Sequence, residues 1–176
     1  RVATMADDAA DPRRHHGRMP AVVATAITGL DEPVERESKM KRAIQVGQKA
    51  ALRVRVSEKD VHYAGGLVNG AYVLGLFGDM GTEVLVRHDG DEGLLVAYRN
   101  IELKAPIKAG DFLEVTGWIT RVGNTSRTIL LEAHRYIKAA GAPFASSADY
   151  LATPELVARA EMVSVVRAEQ QRCGQD

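Results

Sequence analysis

The chain has 176 residues, enough for one domain or two very small ones, and its 23 basic residues are matched by 23 acidic ones. A formal net charge of zero argues against a broad electrostatic footprint for nucleic acid or an anionic membrane. A single cysteine, Cys173, cannot build a disulfide framework, which fits a cytoplasmic setting, and no apolar run is long enough to cross a bilayer as a helix.

Residues 1–42 mix Asp, Arg, His, Pro and Ala without a period and end in a charged run, DEPVERESKMKR. Such a segment buries too little apolar surface to offset the entropy of ordering, and it reads as a mobile leader, with Met40 an alternative start. The short apolar stretch 21–30 follows an Arg-rich start as a signal peptide would, but it has no clear cleavage site and acidic residues surround it. The compact domain is expected over 43–170, followed by a polar tail over 171–176 that holds Cys173.

From residue 50 the pattern tightens. AALRVRVS, residues 50–57, alternates Leu52, Val54 and Val56 against Arg53 and Arg55, the period of a half-buried strand. After the loop EKDVHYAGG, residues 67–87 carry Val68, Ala71, Tyr72, Gly75, Leu76, Met80, Glu83 and Val84 at helical spacing, with Asn69 as a capping residue near the start. Gly70, Gly75, Gly78 and Gly81 lie inside that helix. Each costs up to about 1 kcal/mol relative to alanine, so the spacing predicts a sheet wrapped closely around this helix. HDGDEG, residues 88–93, reads as a turn. Strands are expected over 94–103, over 112–122 with Leu113, Val115, Gly117 and Ile119 on one side, and over 127–138 with Ile129, Leu131, Ala133, Arg135 and Ile137 on one side. The short links PIKAGD and GNTS make them antiparallel, and a last strand is expected over 156–166. A strand, one long helix and then a run of strands define the α+β class, specifically the hot-dog arrangement of an antiparallel sheet curved around one helix. One helix covers one face of such a sheet and long strands leave an edge, so at least a homodimer is expected, with a hexamer built as a trimer of dimers the alternative.

The polar residues concentrate in residues 62–85. Glycines and Asn69 put free backbone N–H groups at a helix start, where the dipole favours negative charge and could polarise a thioester carbonyl. Asp79 and Glu83 lie four apart, on one helix face, in an otherwise apolar segment. His62 and Tyr63 precede the helix and can reach the same space. Each feature has a structural alternative: glycines that serve packing, carboxylates paired with arginines, a histidine that only holds a loop. The remaining histidines have no partners at ligand spacing, so no metal is expected. Arg53, Arg55, Lys104, Lys108, Arg121, Arg127 and Lys138 fall near strand ends, where most such charges are solvated. No phosphate-binding glycine loop is present.

The segments SEKDVHYAGGLVNGA (57–71), FGDMGTEVLV (77–86), DGDEGLLVAY (89–98), IELKAPIKAGDFLEVTGWI (101–119) and VGNTS (122–126) together resemble the β-aminoacyl-coenzyme A ammonia-lyases, over residues 52–137. This chain has Gly66 where the family pattern carries asparagine. The resemblance implies the hot-dog fold and reversible loss of ammonia from a 3-aminoacyl-coenzyme A, of the 3-aminobutyryl to crotonyl type. It implies no cofactor beyond the coenzyme A carried by the substrate. On that reading Glu83 is favoured as the base that removes the α proton, with Asp79 next. The N–H groups around Gly66, Leu67 and Gly70 would hold the enolate oxygen, and His62 and Tyr63 would shape the amine pocket. An acyl-coenzyme A thioesterase and a non-catalytic acyl-coenzyme A-binding protein are the alternatives.

Overall fold

A computed structural model describes residues 43–173; the leader expected over 1–42 and residues 174–176 lie outside them. Five strands form one antiparallel sheet in the order β1-β5-β6-β7-β4: β1 (Ala50–Arg55), β4 (Leu94–Leu103), β5 (Phe112–Val122), β6 (Ser126–Ala139) and β7 (Ala148–Val165). The helix α1 (Gly70–Asp89) enters after a small antiparallel pair, β2 (Val61–Tyr63) with β3 (Leu67–Val68), and packs on one sheet face. The hot-dog arrangement expected from the sequence is therefore the one observed.

The alternation in β5 decides which face meets the helix. Leu113, Val115, Gly117 and Ile119 are buried, as are Ile129, Leu131 and Ala133 on β6, and they enclose Val73, Phe77, Met80, Val84 and Leu85 of α1. Full burial of a side chain the size of Phe77 or Met80 contributes about 1.5–3 kcal/mol. The expected close wrapping is visible at Gly81 of the helix, and Gly117 of β5 shows it from the sheet side. A Cβ on Gly81 would stand 2.2 Å from Met162 Sδ, and one on Gly117 would stand 2.8 Å from Met80 Cγ. Gly75 is different: it is exposed, and a Cβ there would meet nothing within 4 Å. Gly75→Ala is expected to raise the melting temperature through helix propensity, by up to about 1 kcal/mol of stability. A fall instead would show that a second chain packs on this helix face.

Four expectations are corrected. The helix starts at Gly70 rather than residue 67, because Leu67 and Val68 are drawn into β3, where the Val68 N–H donates to Ile107 O at 3.1 Å. Asn69 is the cap, its Oδ1 accepting the Tyr72 N–H at 3.0 Å. At the other end His88 and Asp89 belong to the helix and are buried, so the turn shrinks to the segment that begins at Gly90, whose φ of 78° ends the helix. The last strand starts at Ala148 rather than residue 156. Ile137 faces Tyr150 and Arg135 faces Glu155, so β7 carries extra residues around Pro154, which interrupts the pattern without ending the strand. Finally, the polar tail is anchored: the N–H groups of Arg172 and Cys173 both donate to Asp89 O, and Cys173 is buried.

Arg127, expected to be solvated, is also buried. Its guanidinium forms a two-pronged pair with Asp89, Nε to Oδ2 at 2.9 Å and Nη2 to Oδ1 at 2.7 Å, while Nη1 donates to the Gly123 and Ser126 carbonyls. Arg135 sits on the buried face of β6 as the alternation required and is satisfied by Asp111, by Glu155 and by the Pro106 carbonyl.

Candidate active site

The start of α1 borders a cavity of about 210 Å³. Its walls are apolar where Val68, Val73, Leu103, Ile107 and Val157 contribute, and Asn69 and Lys104 add polarity. The geometry at the helix start suits an anion or a polarised carbonyl. Asn69 satisfies the Tyr72 N–H, whereas the N–H groups of Gly70 and Ala71 belong to the first turn and have no intrahelical acceptor. Gly70 lets β4 approach: a Cβ there would lie 2.6 Å from Leu103 Cδ1. Of the residues the sequence singled out, Asn69 and Gly70 line this cavity. Leu103 and Ile107 were missed as site residues, and Lys104 was named only among the strand-end charges, although all three fall inside the segment 101–119 that carries the family resemblance.

The loop before the helix is set by backbone conformation. Gly65 and Gly66 have φ of 78° and 77°, a region that glycine enters freely and asparagine tolerates better than most residues. Glycine in place of the family's asparagine at Gly66 thus preserves the backbone path, and Gly66 O accepts the Ala109 N–H at 2.9 Å. Leu67 is engaged in the sheet, paired with Tyr63 and bridged to Lys108. His62 and Tyr63 are exposed on β2, their rings edge to face at 4.6 Å, and do not line the cavity.

Asp79 and Glu83 share the helix face turned away from the sheet. Asp79 is exposed and has no ion-pair partner among the described residues. Glu83 is half-exposed, and its Oε1 already accepts from Arg87 Nη1 at 3.0 Å. The buried setting expected for the two acids is therefore not provided by a single protomer. Neither do the acids reach the cavity. Nine residues separate Gly70 from Asp79, about 14 Å of helix axis, and Glu83 lies about 20 Å from Gly70.

Beside Asp79, Tyr98 of β4 reaches the helix, its hydroxyl donating to Leu74 O at 2.9 Å. Burial, and secondarily the Asp79 charge, raise its pKa above the ordinary phenol value. The strand that carries it is a sheet edge bearing exposed Leu94, Leu95, Val96, Ile101 and Leu103, with Leu94 72% exposed. Among the described residues no three His, Cys, Asp or Glu side chains cluster as metal ligands, and no helix is long and apolar enough to cross a membrane.

Residues 65–137 match the model of the thioesterase superfamily. The chain is 48% identical over 124 residues to a 3-aminobutyryl-CoA ammonia lyase of Acetoanaerobium sticklandii, covering 70% of this chain and 98% of that one. Its fold superposes on β-alanyl-CoA:ammonia lyase of Clostridium propionicum with a TM-score of 0.70 and 39% identity, over 75% of this chain and 94% of that one. A hexameric thioesterase of Yersinia pestis shares the fold at a TM-score of 0.53 and 16% identity, over 65% of this chain and 84% of that one.

Proposed function

The chain belongs to the 3-aminobutyryl-CoA ammonia-lyase family within the thioesterase superfamily, and from that membership we propose how its residues carry out the elimination. It is a carbon–nitrogen lyase that removes ammonia reversibly from a 3-aminoacyl-coenzyme A. The substrate favoured by the 48% identical relative is 3-aminobutyryl-coenzyme A, with crotonyl-coenzyme A as product.

In this reading the thioester carbonyl sits at the start of α1, where the first-turn N–H groups of Gly70 and Ala71 would stabilise an enolate oxygen. A carboxylate takes the Cα proton. The electron pair passes through the enolate, returns to form the Cα=Cβ bond and expels the 3-ammonium group as ammonia, while the proton stays on the carboxylate. Glu83, favoured from the sequence, would have to release Arg87 before accepting a proton, whereas Asp79 is unencumbered. We therefore assign the base to Asp79 and an orienting role to Glu83.

The observation that carries the assembly is the separation along α1. A carbonyl and its own α proton cannot span about 14 Å, so the N–H donors and the carboxylate acting on one substrate belong to different chains. The exposed apolar edge of β4 is where two copies would join, strand to strand, into a homodimer. A hexamer would be three such dimers.

The test of the reaction is incubation with crotonyl-coenzyme A, with and without ammonium, followed by mass spectrometry. The expected product gains one ammonia and forms only when ammonium is present. Release of free coenzyme A as the sole change would move the activity to thioester hydrolysis, and binding without turnover would support a ligand-binding protein.

A further inference from the structure

Tyr98 stands outside the proton transfer of the elimination, yet three features make its oxygen unusual. Its only proton is committed to the Leu74 carbonyl at 2.9 Å, so the lone pairs of the oxygen remain for an outside donor. The helix residue facing it is Gly78, where a Cβ would stand 3.5 Å from Oη, so one flank of the oxygen is left open by the missing side chain. The next residue is Asp79, close enough for its charge to act on the phenol. Burial and that charge both keep the phenol protonated, so at neutral pH it is a neutral acceptor beside an anionic one.

We propose that Tyr98 and Asp79 form the acceptor pair that receives the substrate's 3-ammonium group, or free ammonium in the reverse direction, and that Tyr98 thereby sets the preference for an amine over water. The inference rests on the lyase reading above. An alkylammonium presents three N–H donors and a positive charge; a carboxylate answers the charge, and a phenol whose own proton is spent offers an acceptor that cannot compete as a donor. A water molecule gains far less from the same pair, because it brings no charge.

The test is Tyr98→Phe, which keeps the ring between β4 and α1 and removes the oxygen. With crotonyl-coenzyme A and ammonium as substrates, the KM for ammonium is expected to rise about tenfold or more, while the KM for crotonyl-coenzyme A stays within about twofold. A merely structural role would move both constants together, and that result, or no change in either, would overturn the proposal. If the wild-type protein forms no ammonia adduct at all, the lyase reading falls and this inference with it; an active wild type with an unsplit Tyr98→Phe removes the inference alone. Should Tyr98→Phe not fold, Gly78→Ala places a methyl group on the open flank without touching the phenol's hydrogen bond, in a residue type that favours helix. It is expected to raise the KM for ammonium several-fold, and an unchanged value would overturn the proposal.

Discussion

Asp79→Asn is expected to lower the rate of ammonia addition to crotonyl-coenzyme A by about 10²–10⁴-fold, the usual contribution of a positioned general base, with the KM for crotonyl-coenzyme A little changed. The asparagine keeps the shape of the side chain on an exposed stretch of helix, so the fold has no reason to suffer. Glu83→Gln is expected to cost less, because that carboxylate is already engaged with Arg87 and is assigned to orientation. Near-full activity in both variants would end the carboxylate mechanism. The same substitution also tests the assembly. Gly70→Val brings a side chain onto Leu103 and obstructs the helix start, so a homodimer of either variant has two dead sites. In a mixed dimer whose sites each combine Asp79 of one chain with the helix start of the other, one site carries both defects and the other carries none. Random exchange of the two inactive variants should therefore restore about a quarter of wild-type activity, since half the dimers are mixed and each has one intact site. If the site lay within one chain, every mixed dimer would be inactive.

Arg127→Met is the substitution expected to cost most in stability, about 3–5 kcal/mol, because it strands a buried carboxylate. Asp89 is 1% exposed and stands at the C-terminal end of α1, where the helix dipole opposes a negative charge. Both of its carboxylate oxygens depend on the Arg127 guanidinium. Its backbone carbonyl at the same time anchors Arg172 and Cys173, so the loss also loosens the chain end. Against a total stability of about 5–15 kcal/mol for a domain, this is a large fraction. Urea denaturation should show the midpoint falling by about 1–5 M, given slopes of about 1–3 kcal/mol per M. The double variant Asp89→Asn with Arg127→Met should recover part of the loss, as an unpaired amide costs less to bury than an unpaired charge. A loss below about 1 kcal/mol in the single variant would mean that water reaches Asp89 and the pair is not a structural requirement.

Much of this molecule was determined by its sequence alone. Period-two alternation at 113–119 and 129–135 assigned the buried face of β5 and β6 correctly, since a strand's side chains must alternate and only one face meets the helix. The glycines of α1 signalled close packing, which holds at Gly81 and at Gly70 but not at Gly75. The quoted segments carried the family, and the identity to the ammonia lyase bears that out. Even the distance between the helix start and Asp79 was latent in the numbering, because helix rise is fixed.

What the tertiary structure alone decided depends on partners remote in sequence. Whether Leu67 and Val68 begin a helix or complete a strand depends on Ile107 and Lys108, some forty residues on. Arg127 looks like any strand-end charge until Asp89, 38 residues away, is found against it in the interior. The last strand was expected only from residue 156, and only the register with β6 shows it starting at Ala148 and bulging around Pro154. The same holds for the site. The sequence offered both acids and favoured Glu83 as the base, with Asp79 next. The fold distinguished them by placing Arg87 on one and Tyr98 beside the other, because ion pairing and hydrogen bonding depend on distances of about 3 Å that no one-dimensional spacing specifies.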